Sequence, residues 1–96
     1  MEGILDKFNT NEAGLFSSGT WRKYFFILHQ EVLIITDLKE RTKILGKIHM
    51  HISKILPEDS THEEGEIKLH TGLNEVRLKA STIKEKINWK NALTKA

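Results

Sequence analysis

Ninety-six residues, 39% apolar and 29% charged, suffice for one domain with one core and exclude both a multi-step machine and a disordered tract. The absence of cysteine excludes disulfides and thiolate metal ligation, and favours a reducing, cytosolic compartment. The formal net charge of +2 arises in residues 1–55, with eight Lys/Arg against six Asp/Glu, while residues 56–96 hold seven of each; this suits a local basic patch facing an anionic surface, and no nucleic-acid partner is expected.

Met1 to Phe8 alternates imperfectly and reads as a first strand, with Gly3, Leu5 and Lys7 on one face and Gly3 permitting a close backbone approach. Asp6, Lys7, Asn9 and Glu12 interrupt any signal-peptide pattern, and no apolar run approaches the roughly 18 residues of a spanning helix, so membrane contact would be peripheral. Asn9 to Thr20, rich in Asn, Ser, Thr and Gly, reads as a loop. Leu15 and Phe16 in its middle admit two readings: a fold back onto the core, or a membrane-inserting tip.

Trp21 to Leu28 holds four of the seven aromatic residues and reads as a strand. Arg22, Tyr24, Phe26 and Leu28 share one face; Trp21, Lys23, Phe25 and Ile27 share the other. The first face passes from core at Phe26 and Leu28 to polar chemistry at Arg22 and Tyr24. Val32 to Thr36 completes a hairpin through His29-Gln30-Glu31. A charged connection, Asp37 to Lys43, leads to Gly46–Ile52, where Ile48, Met50 and Ile52 share a face. Ser53 to Leu56 extends this strand or begins another, before Pro57-Glu58-Asp59-Ser60 breaks the pattern. Glu66–His70 and Glu75–Ala80 form a hairpin around Thr71-Gly72-Leu73-Asn74.

From Thr82 to Ala96 the period changes. Ile83 and Ile87 are four apart, as are Trp89 and Leu93, with Ala92 and Ala96 beside them, which predicts a helix. Thr82 and Glu85 have capping-box spacing. Six or seven strands followed by one helix give an α+β fold, an antiparallel barrel or sandwich whose open end the helix closes.

The order and spacing of Glu2-Gly3-Ile4-Leu5-Asp6-Lys7, Trp21–Leu28, Gly46–Met50 and Leu78-Lys79-Ala80 before a helix with Trp89 and Leu93 resemble the pleckstrin-homology (PH) domain. Within it, Met1–Leu5 with Lys7-Phe8, Gly46–Met50 and Ala80–Trp89 are most similar to the oxysterol-binding, ceramide-transfer and four-phosphate-adaptor branch. The resemblance implies a seven-stranded barrel with a helical cap and a single domain over 1–96 excised from a larger protein. It also implies a monomer that binds a phosphoinositide headgroup, phosphatidylinositol 4-phosphate favoured, as in lipid-transfer proteins, peripherally on organelle membranes with a Golgi-like target favoured. A wedge in the loop between the first two strands is implied as well; the candidates for membrane contact read from the residues are Leu15 and Phe16 in that loop and Lys23 on the outward face of the second strand. Where the family places an arginine at the third position after the tryptophan, this chain has Tyr24. That departure keeps a second reading open, a PH fold used for protein contact with a degenerate lipid pocket.

For the headgroup, Lys7 and Arg22 fall on inward faces at the first-loop end, where a phosphate dianion needs cations. Tyr24 adds one hydroxyl. Lys43, Lys47 and His49 are further candidates for the same mouth, with solvated surface charge as the competing reading. No nucleophile–base pair, glycine-rich phosphate loop or paired-carboxylate motif occurs, and Glu63-Glu64 falls in a loop with nothing to orient it. The histidines lack metal spacing. The expectation is a non-enzymatic binding module with no cofactor and no metal.

Overall fold

Aromatic and β-branched side chains concentrate between Trp21 and Thr36, and the sheet is assembled around them. The computed structural model describes residues 1–11 and 18–96. Its strands are β1 (Glu2–Asn11), β2 (Ser18–His29), β3 (Val32–Thr36), β4 (Ile44–His49), β5 (Lys54–Ile55), β6 (Glu66–His70) and β7 (Glu75–Lys79), followed by the helix α1 (Ile83–Lys95). All pair antiparallel in one sheet of order β4-β3-β2-β1-β7-β6-β5. The edges β4 and β5 do not pair with each other, so the sheet is a folded-over sandwich rather than a closed barrel.

β1 joins the two halves. It pairs with β2 along its whole length and with β7 only at Asp6 and Lys7. The inner faces of both halves meet in one core: Leu5, Phe26, Leu33, Ile35 and Ile48 from one side, Ile67, Leu69 and Leu78 from the other, with Trp89 and Leu93 of α1 closing it. A Cβ at Gly3 would lie 3.4 Å from the Trp89 ring, so the missing side chain lets that indole seat against β1.

Two segments differ from the sequence reading. The loop expected over 9–20 is strand at both ends, with Asn9, Thr10 and Asn11 paired to Thr20, Gly19 and Ser18. Strand propensity under-reads these polar residues because the register set by the apolar part of the hairpin carries the ladder outward. The strand expected over 46–52 instead starts at Ile44 and ends at His49, and Met50–Ile52 forms a 3₁₀ turn. The Met50 N–H donates to the Glu31 carbonyl at 2.7 Å and the Ser53 hydroxyl to the His49 carbonyl at 2.8 Å. The turn buries Met50 and swings Ile52 out into solvent, so the apolar face predicted for Ile48, Met50 and Ile52 breaks after Met50.

The helix begins as its capping residues require. The Glu85 N–H donates to the Thr82 hydroxyl at 3.1 Å, but the Glu85 carboxylate accepts from the Ser81 hydroxyl at 2.8 Å, so among the side-chain bonds seen only half of the capping box forms. Trp89 and Leu93 face the core, whereas Ile83 and Ile87 lie exposed on another side of the helix.

Candidate functional site

The polar continuation of the inner face lies where β1 and β2 run on beyond the core. Leu5 stands opposite Tyr24, and Lys7 stands opposite Arg22 on one side and the buried Leu78 on the other. Directly paired strand residues share a face, so Lys7, Arg22 and Tyr24 form one surface at the rim of the core. Lys7 is half-buried, Arg22 is exposed, and the Tyr24 ring packs against the core cluster.

Asn9, two residues beyond Lys7 on the same face, ties this surface together. Lys7 Nζ donates to Asn9 Oδ1 at 3.0 Å, and Asn9 Nδ2 donates to Tyr24 Oη at 2.7 Å. The phenol oxygen therefore accepts from Asn9 and keeps its own proton to donate outward. Sequence reasoning missed Asn9 by assigning it to the loop; the period-two step from Lys7 was the signal that could have found it.

Two cations placed directly across a ladder repel one another unless something negative lies between them. Among the described residues neither Lys7 nor Arg22 has a carboxylate within salt-bridge distance. A cavity of about 360 Å³ opens beside Lys7, lined also by Phe8, Asn9, Asn74, Glu75, Val76 and Arg77. The turn between β6 and β7 thus borders the same rim.

Two of the other candidates, Lys47 and His49, are not gathered here. Lys47 pairs with Ile34, which pairs with Ile27, and His49 pairs with Val32, which pairs with His29. Both therefore stand on the outer face, away from Lys7, Arg22 and Tyr24. Lys43 is exposed in the connection between β3 and β4. In that connection the Asp37 carboxylate accepts from the Glu40 and Lys39 N–H groups, at 2.8 and 3.0 Å, which holds its pKa below the usual range. Lys23 is on the outer face and pairs with Asp6 at 3.1 Å. Leu15 and Phe16 lie outside the described residues.

The outer face carries a second polar cluster that the sequence did not disclose. Glu63, read as an unoriented loop residue, accepts from Trp21 Nε1 at 3.1 Å and lies 3.5 Å from Arg77 and 3.6 Å from Lys79. Arg77 in turn bonds the buried Glu66 at 2.5 Å and stacks over Phe8 and Trp21, 4.6 and 5.2 Å from the ring centroids. Lys68, also buried, donates to the Thr61 hydroxyl. Residues 59–63 thereby cover the outside of β6, which is why its Glu and Lys are as buried as its Ile and Leu. Each acid here is already held by cations or hydroxyls, so this cluster fastens a loop and leaves no net positive site.

A family model for the PH domain matches residues 1–96. The chain belongs to the PH domain family. Among solved structures, this PH domain is similar to the C-terminal PH domain of pleckstrin in complex with D-myo-Ins(1,2,3,5,6)P5, at 25% identity and a TM-score of 0.79, covering 98% of this chain and 90% of that one. It is also similar to the tandem PX-PH domains of Bem3 from Saccharomyces cerevisiae, at 24% identity and a TM-score of 0.73, covering 96% of this chain and 40% of that one. The human pleckstrin homology domain-containing protein family A member 5 matches at 23% identity and a TM-score of 0.76, over 97% of this chain and 72% of that one. The last two matches bear on fold alone. No curated protein sequence matches significantly.

Proposed function

We propose that this PH domain is a membrane-targeting module that binds a phosphoinositide headgroup at the rim formed by Lys7, Arg22, Asn9 and Tyr24. The observation that carries the reading is the cross-strand pair of Lys7 and Arg22, two cations without a carboxylate partner among the described residues. A phosphate monoester dianion between them relieves their repulsion and accepts charge-assisted hydrogen bonds from both. Tyr24, whose hydroxyl has a proton to spare, adds a neutral donor where the family commonly has an arginine. The match at 25% identity to a pleckstrin PH domain solved with an inositol pentakisphosphate supports the ligand class.

Phosphatidylinositol 4-phosphate is the species to test first, on the resemblance of Gly46–Met50 and Ala80–Trp89 to the oxysterol-binding branch, and a Golgi-like membrane is the matching location. Lipid transfer by a larger parent protein belongs to the same reading. The reading is of binding without catalysis, and the cations, amide and phenol gathered at the rim among the described residues suit that role. Protein contact through a degenerate pocket is the competing reading, and Tyr24, which brings no charge, is the observation that favours it.

Vesicle sedimentation and calorimetry with a soluble inositol phosphate separate the two. Lys7→Ala and Arg22→Ala are each expected to weaken both bindings at least tenfold, while Lys90→Ala on the helix leaves both near the wild-type value. Equal, small losses for all three variants would reduce the interaction to unspecific basic attraction and favour the protein-contact reading.

A further inference from the structure

The turn between β6 and β7 presents the most exposed large apolar side chain among the described residues. Leu73 is 96% exposed, against 61% for the next, Ile52. A lone exposed leucine needs no explanation, but this one stands on a tightly held turn beside the proposed headgroup site. The Thr71 N–H donates to the Asn74 carbonyl at 2.9 Å, and the Thr71 hydroxyl bonds the Asn74 carbonyl and side-chain oxygens at 3.2 and 2.9 Å. The Gly72 N–H donates to His70 Nδ1 at 3.2 Å. Gly72 itself takes φ +93°, which a side chain would strain, and a Cβ there would lie 3.9 Å from the Ile52 carbonyl oxygen. The fixed turn therefore lies beside the backbone of Ile52 and leaves Leu73 exposed to solvent.

Its neighbour on the other side is the cationic rim. Asn74 lines the cavity that Lys7 and Asn9 line. An exposed apolar side chain beside cations that have no carboxylate partner among the described residues matches the chemistry of an anionic lipid surface, where cations meet phosphates and apolar side chains enter the acyl boundary. We infer that Leu73, seconded by Ile52, is a membrane anchor that inserts beside the bound headgroup; the inference rests on the headgroup reading and adds a bilayer contact that a soluble headgroup cannot supply.

Because the chain contains no cysteine, Leu73→Cys can carry a single environment-sensitive NBD label, with Lys84→Cys on the helix as the control. Vesicles of phosphatidylcholine with a few per cent of phosphatidylinositol 4-phosphate are expected to shift the emission of the label at 73 to the blue and leave the label at 84 unmoved, and soluble inositol phosphate is expected to shift neither. Leu73→Ser should weaken vesicle binding about tenfold, equivalent to about 1.4 kcal/mol, with unchanged affinity for soluble inositol phosphate and an unchanged melting temperature. If vesicles sediment the protein while the label at 73 stays in water and Leu73→Ser binds as the wild type, the anchor is overturned and the headgroup reading stands. A blue shift at 73 with no affinity for soluble inositol phosphate upholds the anchor and overturns the headgroup reading. Absence of any vesicle binding overturns both.

Discussion

At the scale of single residues, burial decides which charges are structural and which are free to act. Glu66 is wholly inaccessible and depends on Arg77, with only the Glu63 N–H as a further donor among the contacts seen. Arg77→Ala leaves that carboxylate charged and unpaired, and chemical denaturation is expected to show a loss of about 3 kcal/mol, the lower end of the range for a broken buried pair because the guanidinium is itself partly in water. Adding Glu66→Gln to the same chain should recover part of the loss. Asn9→Ala makes the opposite test, expected to leave stability within about 0.5 kcal/mol as an ordinary rim substitution does, while lowering affinity for inositol phosphate by freeing Lys7 and Tyr24 from their shared geometry. Lys7, Arg22 and Tyr24 were legible in the sequence because strand alternation alone assigns their face. Asn9 and the partners of Glu63 were not, since the first depends on where a hairpin ends and the second on a contact forty-two positions away.

At the scale of elements, the long apolar patterns specified themselves and the segment ends did not. The second strand, the two hairpins and the helix follow from periodicity, and the core contributed by Leu5, Phe26 and Ile48 falls on the predicted faces. Where the strand after Gly46 stops is set by a backbone bond from Met50 to Glu31, and no local pattern announces it. The helix shows the same limit, for its two spaced apolar pairs look equivalent in sequence and only one is buried. That inequality is a prediction. Trp89→Ala should destabilise by about 3–5 kcal/mol, the range for truncating a buried large aromatic, whereas Ile87→Ala should cost under about 1 kcal/mol because its side chain already meets water. Thermal melts of the two variants check both values, and comparable losses would mean that Ile87 packs as deeply as Trp89. Thr82→Ala, which removes the one side-chain cap, should lie between them at about 1 kcal/mol.

For the molecule as a whole, the charge balance makes the fold acid-sensitive. Among the described residues, three carboxylates in two loops, Asp37 after β3 and the neighbours Glu58 and Asp59 between β5 and β6, are held below their ordinary pKa. Asp59 is shifted furthest, by the Thr61 hydroxyl and N–H and by His62; Glu58 is shifted by Lys86, and Asp37 by the backbone of residues 39 and 40. A carboxyl whose folded pKa lies below its unfolded value of about 4 binds its proton more readily in the unfolded chain. Its contribution to stability is therefore complete above that pH and is lost as pH falls toward the folded pKa. The melting temperature should accordingly stay level between pH 7 and pH 5 as far as these groups are concerned, and drop below about pH 4. Protonation also removes negative charge from a chain with fifteen Lys and Arg against thirteen Asp and Glu, so growing self-repulsion acts in the same direction. Asp59→Asn separates the local effect from the global one. The amide keeps the shape and some of the hydrogen bonds but cannot ionise, so the variant should melt below the wild type at pH 7, and the gap should close as the wild-type carboxylate protonates. A gap that persists undiminished at low pH would show that the substitution acts by disturbing the loop over β6 and that ionisation of Asp59 contributes nothing to the fold.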